Sequence, residues 1–266
     1  MSQALAHPLS EIPGAKAGDA SQLDGSGHVR WVRISHWIVA LSVLTLAFSG
    51  FVILMAHPRL YWGIAGNDLT PALLEIPVSR NYQHGGWEKG VPFSTQNGAP
   101  VSAVRTYDIF NQNGWGRSLH FLAAWFLTVT GAVYFFTGII SGHFRRHLLL
   151  RGGELGWHRL RQDLASHLRR RVPPVRGGPP YGIVQKISYC LVIFLALPLM
   201  VMTGMTMSPA ITAAYPILLD LFDGSQSART IHFFVFAGIV TFVVVHVLMV
   251  VLSGFRRQMR AMIRGS

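Results

Sequence analysis

The stretch TIHFFVFAGIVTFVVVHVLMVVLSGF, residues 230–255, contains no Asp, Glu, Lys or Arg. At about 1.5 Å per residue, a helix of that length is long enough to cross the roughly 30 Å hydrocarbon core of a bilayer. Within it, His232 and His246 stand fourteen positions apart. Fourteen steps of about 100° bring the second side chain to within about 40° of the first, displaced about 21 Å along the axis. One helix face therefore offers an imidazole near each membrane surface. Ionisable side chains are costly in hydrocarbon, and those that occur there face a cavity, a partner or a cofactor.

Three further uncharged runs, Ile34–Pro58, Ser118–Gly142 and Ile187–Leu219, are long enough to span, and the first two carry His36 and His120 near one end. Half of the 266 residues are hydrophobic, 13% are charged and the mean hydropathy is +0.37, a composition foreign to a soluble domain of this length. The expected fold is an all-α membrane protein, a four-transmembrane-helix bundle with spans at about 33–56, 117–141, 183–207 and 229–254. These make up a domain over residues 29–257, preceded by a flexible tail (1–28) and followed by a basic tail (258–266). The N-terminal 27 residues are polar and lack the apolar centre of a secretory signal.

The formal charge of +12 does not point to nucleic acid, because the basic residues cluster between particular spans. Between His143 and Arg176 there are nine arginines against Glu154 and Asp163, and Arg256, Arg257, Arg260 and Arg264 follow the last span. An arginine excess marks the cytoplasmic side, where it also meets anionic lipid. The loop at about 143–181 and both termini are therefore expected in the cytoplasm. In the connection at about 57–116, Arg59, Arg80, Lys89 and Arg105 are balanced by Asp68, Glu75, Glu88 and Asp108. That connection is expected outside, as a docking surface for a partner or a lid anchored by its Trp and Tyr residues. Pro198 is expected to kink or loosen the third span, and the segment around Pro209 and Pro216 to form a short amphipathic turn.

With this orientation, His36 and His246 share the cytoplasmic depth, and His120 and His232 the external one. Two imidazoles per iron suit a haem to electron transfer, since no axial position is left for oxygen or substrate. The single cysteine, Cys190, excludes a Cys-x-x-Cys-His attachment site, so any haem is held noncovalently. Arg33, Arg117 and Arg229 each precede a histidine by three residues, which places them one turn nearer the surface as candidate partners for haem propionates or lipid headgroups. Gly50, Gly131 and Gly204 are candidate points of close approach, to a porphyrin or to a neighbouring helix. His57, His84, His143, His147, His158 and His167 fall in loops or at a span end and read as solvated or interfacial.

His36-Trp37, His120 and His232-x13-His246, set within roughly residues 29–257, resemble the four-helix dihaem cytochrome b family. Its members are membrane subunits of respiratory formate dehydrogenases, nickel-iron hydrogenases and thiosulfate-reductase-type enzymes. His57-Pro58-Arg59-Leu60-Tyr61-Trp62-Gly63 looks like the thiosulfate reductase cytochrome b branch. The resemblance implies two haem b groups, a bacterial inner-membrane location, and electron exchange with a periplasmic oxidoreductase subunit, molybdenum-containing in that branch. It also implies a menaquinone or ubiquinone site beside His36 and His246. Tyr181-Gly182-Ile183-Val184-Gln185-Lys186 is similar to the Tyr-Asn-x-x-Gln-Lys-like segment that helps form that site in relatives. Gly182 replaces the asparagine and removes a side-chain donor, leaving Gln185, Lys186 or Tyr189 to compensate. The same residues also suit an interface-anchored helix start.

The expectation is thus an electron-transfer subunit between the quinone pool and a periplasmic oxidoreductase, with substrate chemistry carried elsewhere. Two alternatives are a stand-alone cytochrome b561-like quinol oxidoreductase and a haem-free transporter with a histidine relay.

Overall fold

A computed structural model describes residues 29–67, 70–78, 113–149, 161 and 183–265. The tail 1–28, most of the connection at 57–116 with His84 and Trp87, and the arginine-rich stretch with His158, His167, Tyr181 and Gly182 lie outside the described residues. Chain order is α1 (Arg30–Ala56), β1 (Arg59–Leu60), β2 (Leu74–Glu75), α2 (Asn113–Ile140), α3 (Ile183–Thr206), α4 (Pro209–Ala214), α5 (Ile217–Leu221), α6 (Ser225–Leu252) and α7 (Phe255–Ile263). α1, α2, α3 and α6 are long and apolar enough to cross a membrane. Three of them, α1, α2 and α6, begin a few residues before the limits read from hydropathy.

The bundle is apolar outside and small or hydroxylated inside. Leu41, Leu44 and Phe48 on α1, Trp125 and Phe126 on α2, and Val244 and Leu248 on α6 are exposed. Buried positions include Ser35, Ser42, Ser49 and Ala56, every seventh residue of α1. With lipid as apolar as leucine, helix association depends on close backbone approach, which small residues permit. At Gly116 of α2 a Cβ would sit 3.1 Å from the Val52 side chain of α1. Among the buried hydroxyls, Ser42 donates within its own helix to the Ile38 carbonyl at 2.8 Å and Thr206 to that of Met202 at 2.9 Å. The closest packing joins α1 to α2 and α3 to α6, so the bundle is built as two helix pairs.

α3 is interrupted by a π-helical turn at Val192–Ala196, just before Pro198. Proline has no N–H to give the carbonyl four residues back, and the wider turn absorbs that mismatch, with the Leu197 N–H reaching the Val192 carbonyl. Phe144, in a second π-helical turn after α2, packs edge-on to Phe194 at 5.1 Å. Its ring fills the space a side chain at Gly138 would need.

At the end where α1 stops, His57-Pro58 breaks the helix and the chain forms a plug. β1 and β2 pair antiparallel, Arg59 opposite Glu75 and Leu60 opposite Leu74. Arg59, Leu60 and Tyr61 are buried. The Gly63 carbonyl accepts the Gln226 and Ser227 N–H groups at 3.0 and 3.3 Å, two donors left open by the start of α6. Thr230 Oγ1 donates to the Tyr61 carbonyl at 2.6 Å, and Trp62 Nε1 to Asp223 at 2.9 Å. The region read as one amphipathic turn after the third span holds two short helices, α4 and α5.

At the opposite end the stretch read as a basic tail from residue 258 is helical. α7 turns back at Gly254, which has φ +106°, and its last carbonyls meet the start of α1. Arg33 Nη1 donates to the Ile263 carbonyl at 3.0 Å and Trp37 Nε1 to that of Met262 at 3.3 Å. A cation at open helix carbonyls is favourable in both charge and hydrogen bonding.

Candidate functional site

Four histidines from α1, α2 and α6 meet in two pairs. At the end carrying α7 and the start of α1, the His36 and His246 rings have centroids 6.3 Å apart at 52°. At the end carrying the plug, the His120 and His232 centroids are 6.3 Å apart at 54°. Two imidazoles bound to opposite sides of one iron, each through a nitrogen about 2 Å away, put their centroids at about that separation. Among the described residues no group of three or more His, Cys, Asp or Glu side chains converges on a metal position. A pair of imidazoles alone makes a poor cage for a bare cation. It suits an iron whose remaining four ligands come from a porphyrin.

The surroundings of each pair differ. A Cβ on Gly50 would lie 3.4 Å from His120 Cε1, and one on Gly204 would lie 3.6 Å from His232 Cε1, so each ring rests against bare backbone. The third candidate glycine, Gly131, has nothing within 4 Å of where its Cβ would be. Ser49 Oγ is 3.0 Å from His120 Nδ1, and Thr203 Oγ1 is 2.9 Å from His232 Nδ1. At the other pair, the His246 ring stacks on Phe242, 5.7 Å away at 18°, and lies edge-on to Tyr189 at 6.3 Å.

The three candidate arginines divide. Arg33 is tied through Nη1 to α7, Arg229 donates to the His57 carbonyl within the plug, and Arg117 is exposed one turn before His120. Arg59, read from the sequence as a loop charge and as part of the His57–Gly63 motif, is 1% exposed within the plug. Gln185 and Lys186 stand at the start of α3, Lys186 buried, one turn before the Tyr189 that meets His246. Ser49 and Thr203 went unmarked in the sequence. Their signal, a hydroxyl residue directly before a glycine in an apolar run, also occurs at Thr130-Gly131 and is too common to single them out.

The shared pattern of the prokaryotic cytochrome b561 family matches residues 27–265. The chain belongs to that family. As a family member it is a membrane haem protein of electron transport, multi-pass in the bacterial inner membrane, and the family implies haem b. This sets aside a haem-free transporter. A relative from Azospira oryzae, named "Putative protein-methionine-sulfoxide reductase subunit YedZ1", is 26% identical over 238 residues, covering 90% of this chain and 96% of the relative. No solved structure matches this cytochrome.

Proposed function

We propose that this cytochrome carries electrons across the membrane between the quinone pool and an oxidoreductase on the external side, through two haem b groups. The observation that carries the reading is the pair of histidine pairs, each spaced for one iron and separated by the about 21 Å between His232 and His246 along α6. His36 and His246 would hold one haem, His120 and His232 the other. When bound, each haem would supply reversible one-electron chemistry between the imidazoles of its pair. The chain's own contribution is to hold the imidazoles, seat His120 and His232 against the bare backbone of Gly50 and Gly204, and keep water from the centres with a lipid-facing apolar shell. Arg59, Arg117 and Arg229 bring positive charge to the plug end, where propionates or headgroups can meet it.

Orientation follows the arginine excess, with the termini and the His36/His246 end facing the cytoplasm. Tyr189, against His246, and Gln185 and Lys186, one turn earlier on α3, offer polar groups for a menaquinone or ubiquinone there. The plug and α5 present exposed Trp62, Ile64, Ile217 and Leu221 on the external side, a surface for a periplasmic oxidoreductase subunit. The relative's name is that of a reductase subunit, which favours a partnered role over a stand-alone quinol oxidoreductase. A molybdenum-containing partner of the thiosulfate reductase type fits the His57–Gly63 motif, and a sulfoxide reductase fits the relative. Both place the substrate chemistry outside this chain.

The test is the haem content and spectrum of the purified protein. Two haems b per chain are expected, with one lost in His232→Ala and the other in His36→Ala. A protein without a reducible haem spectrum, or His232→Ala that keeps two haems, overturns the reading.

A further inference from the structure

At the plug-end pair, each histidine faces a two-residue seat on another helix: Ser49-Gly50 of α1 under His120, and Thr203-Gly204 of α3 under His232. The two seats share the same hydrogen-bond geometry. Ser49 Oγ lies 2.7 Å from the Thr45 carbonyl and Thr203 Oγ1 lies 2.7 Å from the Leu199 carbonyl. A carbonyl oxygen only accepts, and a hydroxyl has one proton, so that proton points to the carbonyl. Turned toward the ring instead, it would leave two oxygen lone pairs facing each other at 2.7 Å. The hydroxyl oxygen must then accept from the imidazole, so Nδ1 carries the hydrogen in both His120 and His232. The free lone pair of each ring is on Nε2.

We infer that Ser49 and Thr203 are positioning residues that fix His120 and His232 as Nε2 donors and make them more electron-rich ligands. This inference rests on the haem reading above. An Nδ1–H bond to an acceptor raises the donor strength of the other ring nitrogen and holds the ring orientation. Both hydroxyl residues are fully buried, so water does not compete for the bond. A stronger donor stabilises ferric over ferrous iron. The two seats therefore hold down the potential of the plug-end haem. His36 and His246, about 21 Å away along α6, are outside their reach.

The experiment uses the full chain purified in detergent, as Ser49→Ala, Thr203→Val and Thr203→Ser, with haem content, redox titration and low-temperature EPR as readouts. Ser49→Ala and Thr203→Val should keep two haems while one potential rises. The expected size is on the order of tenfold in the reduced-to-oxidised ratio, which is 59 mV for one electron. The EPR signal of that haem should shift, the other haem should stay put, and Thr203→Ser should behave as the unaltered protein. If Thr203→Val loses the haem, Ser49→Ala and the retention of both signals by Thr203→Ser carry the test. Two haems whose potentials and EPR signals ignore Ser49→Ala and Thr203→Val, or Thr203→Ser behaving as Thr203→Val, overturn the positioning role alone. An unaltered protein with no haem overturns both readings.

Discussion

Gly50 and Gly204 show how finely a single residue is specified at the plug-end pair. A Cβ at either position would sit 3.4–3.6 Å from a histidine ring, an ordinary contact, whereas any longer side chain must enter the ring's own volume. Gly204→Ala is therefore expected to keep two haems per chain and Gly204→Leu to lose one, read as the haem-to-protein ratio. Equal haem content in both variants would remove the glycine from the site. The four histidines stood out residue by residue, because a histidine in hydrocarbon is conspicuous and helix rise converts position into depth, whereas of the three glycines read with them a Cβ at Gly131 would meet nothing within 4 Å. Ser49 and Thr203 did not stand out. Hydroxyl residues in membrane helices bond their own backbone as a rule, and nothing in the local sequence distinguishes two that also meet a ring.

Among the elements, the start of α6 depends on a backbone that only glycine tolerates. Gly224 has φ +105° and ψ 171°, and a side chain there would strike the Gly63 carbonyl that caps the helix. Gly224→Ala is expected to destabilise the protein by about 1–3 kcal/mol, seen as a lower Tm in detergent and a weakened plug. An unchanged Tm would mean that the plug is not held through this junction. The four long helices were legible because hydrocarbon selects for uncharged runs of fixed length. The interruption of α3 was legible from Pro198, since the missing N–H has a local consequence. The β1–β2 ladder, α4, α5 and α7 were not. Each is too short to carry a period, and α7 is held by a partner distant in sequence, Arg33 on the Ile263 carbonyl.

For the whole molecule, the decisive quantity is which end faces the cytoplasm. The start of α1, α7 and the exposed Arg256, Arg257, Arg260 and Arg264 share one end, and the plug occupies the other. A fluorescent protein fused to the C-terminus is expected to fold and fluoresce, and alkaline phosphatase fused after Asn97 to be active. The reverse pattern would invert the proposed direction of the electron path. The positive charge that could have suggested nucleic acid is accounted for by the proposed orientation. The alternation of an arginine-rich and a charge-balanced connection was readable without coordinates.

The sequence by itself determined the number of spans, the depth of each imidazole and the family. These depend on composition and on the fixed rise and turn of a helix, which are local properties. Only the tertiary structure decided that the centroids of each pair lie 6.3 Å apart, and that Ser49 reaches His120 across 71 residues of chain. It also decided that the loop after α1 caps α6 and that the last helix closes on the first. Those contacts depend on how the helices pack, within each pair and between the pairs, and packing is a property of surfaces that no single stretch of sequence contains.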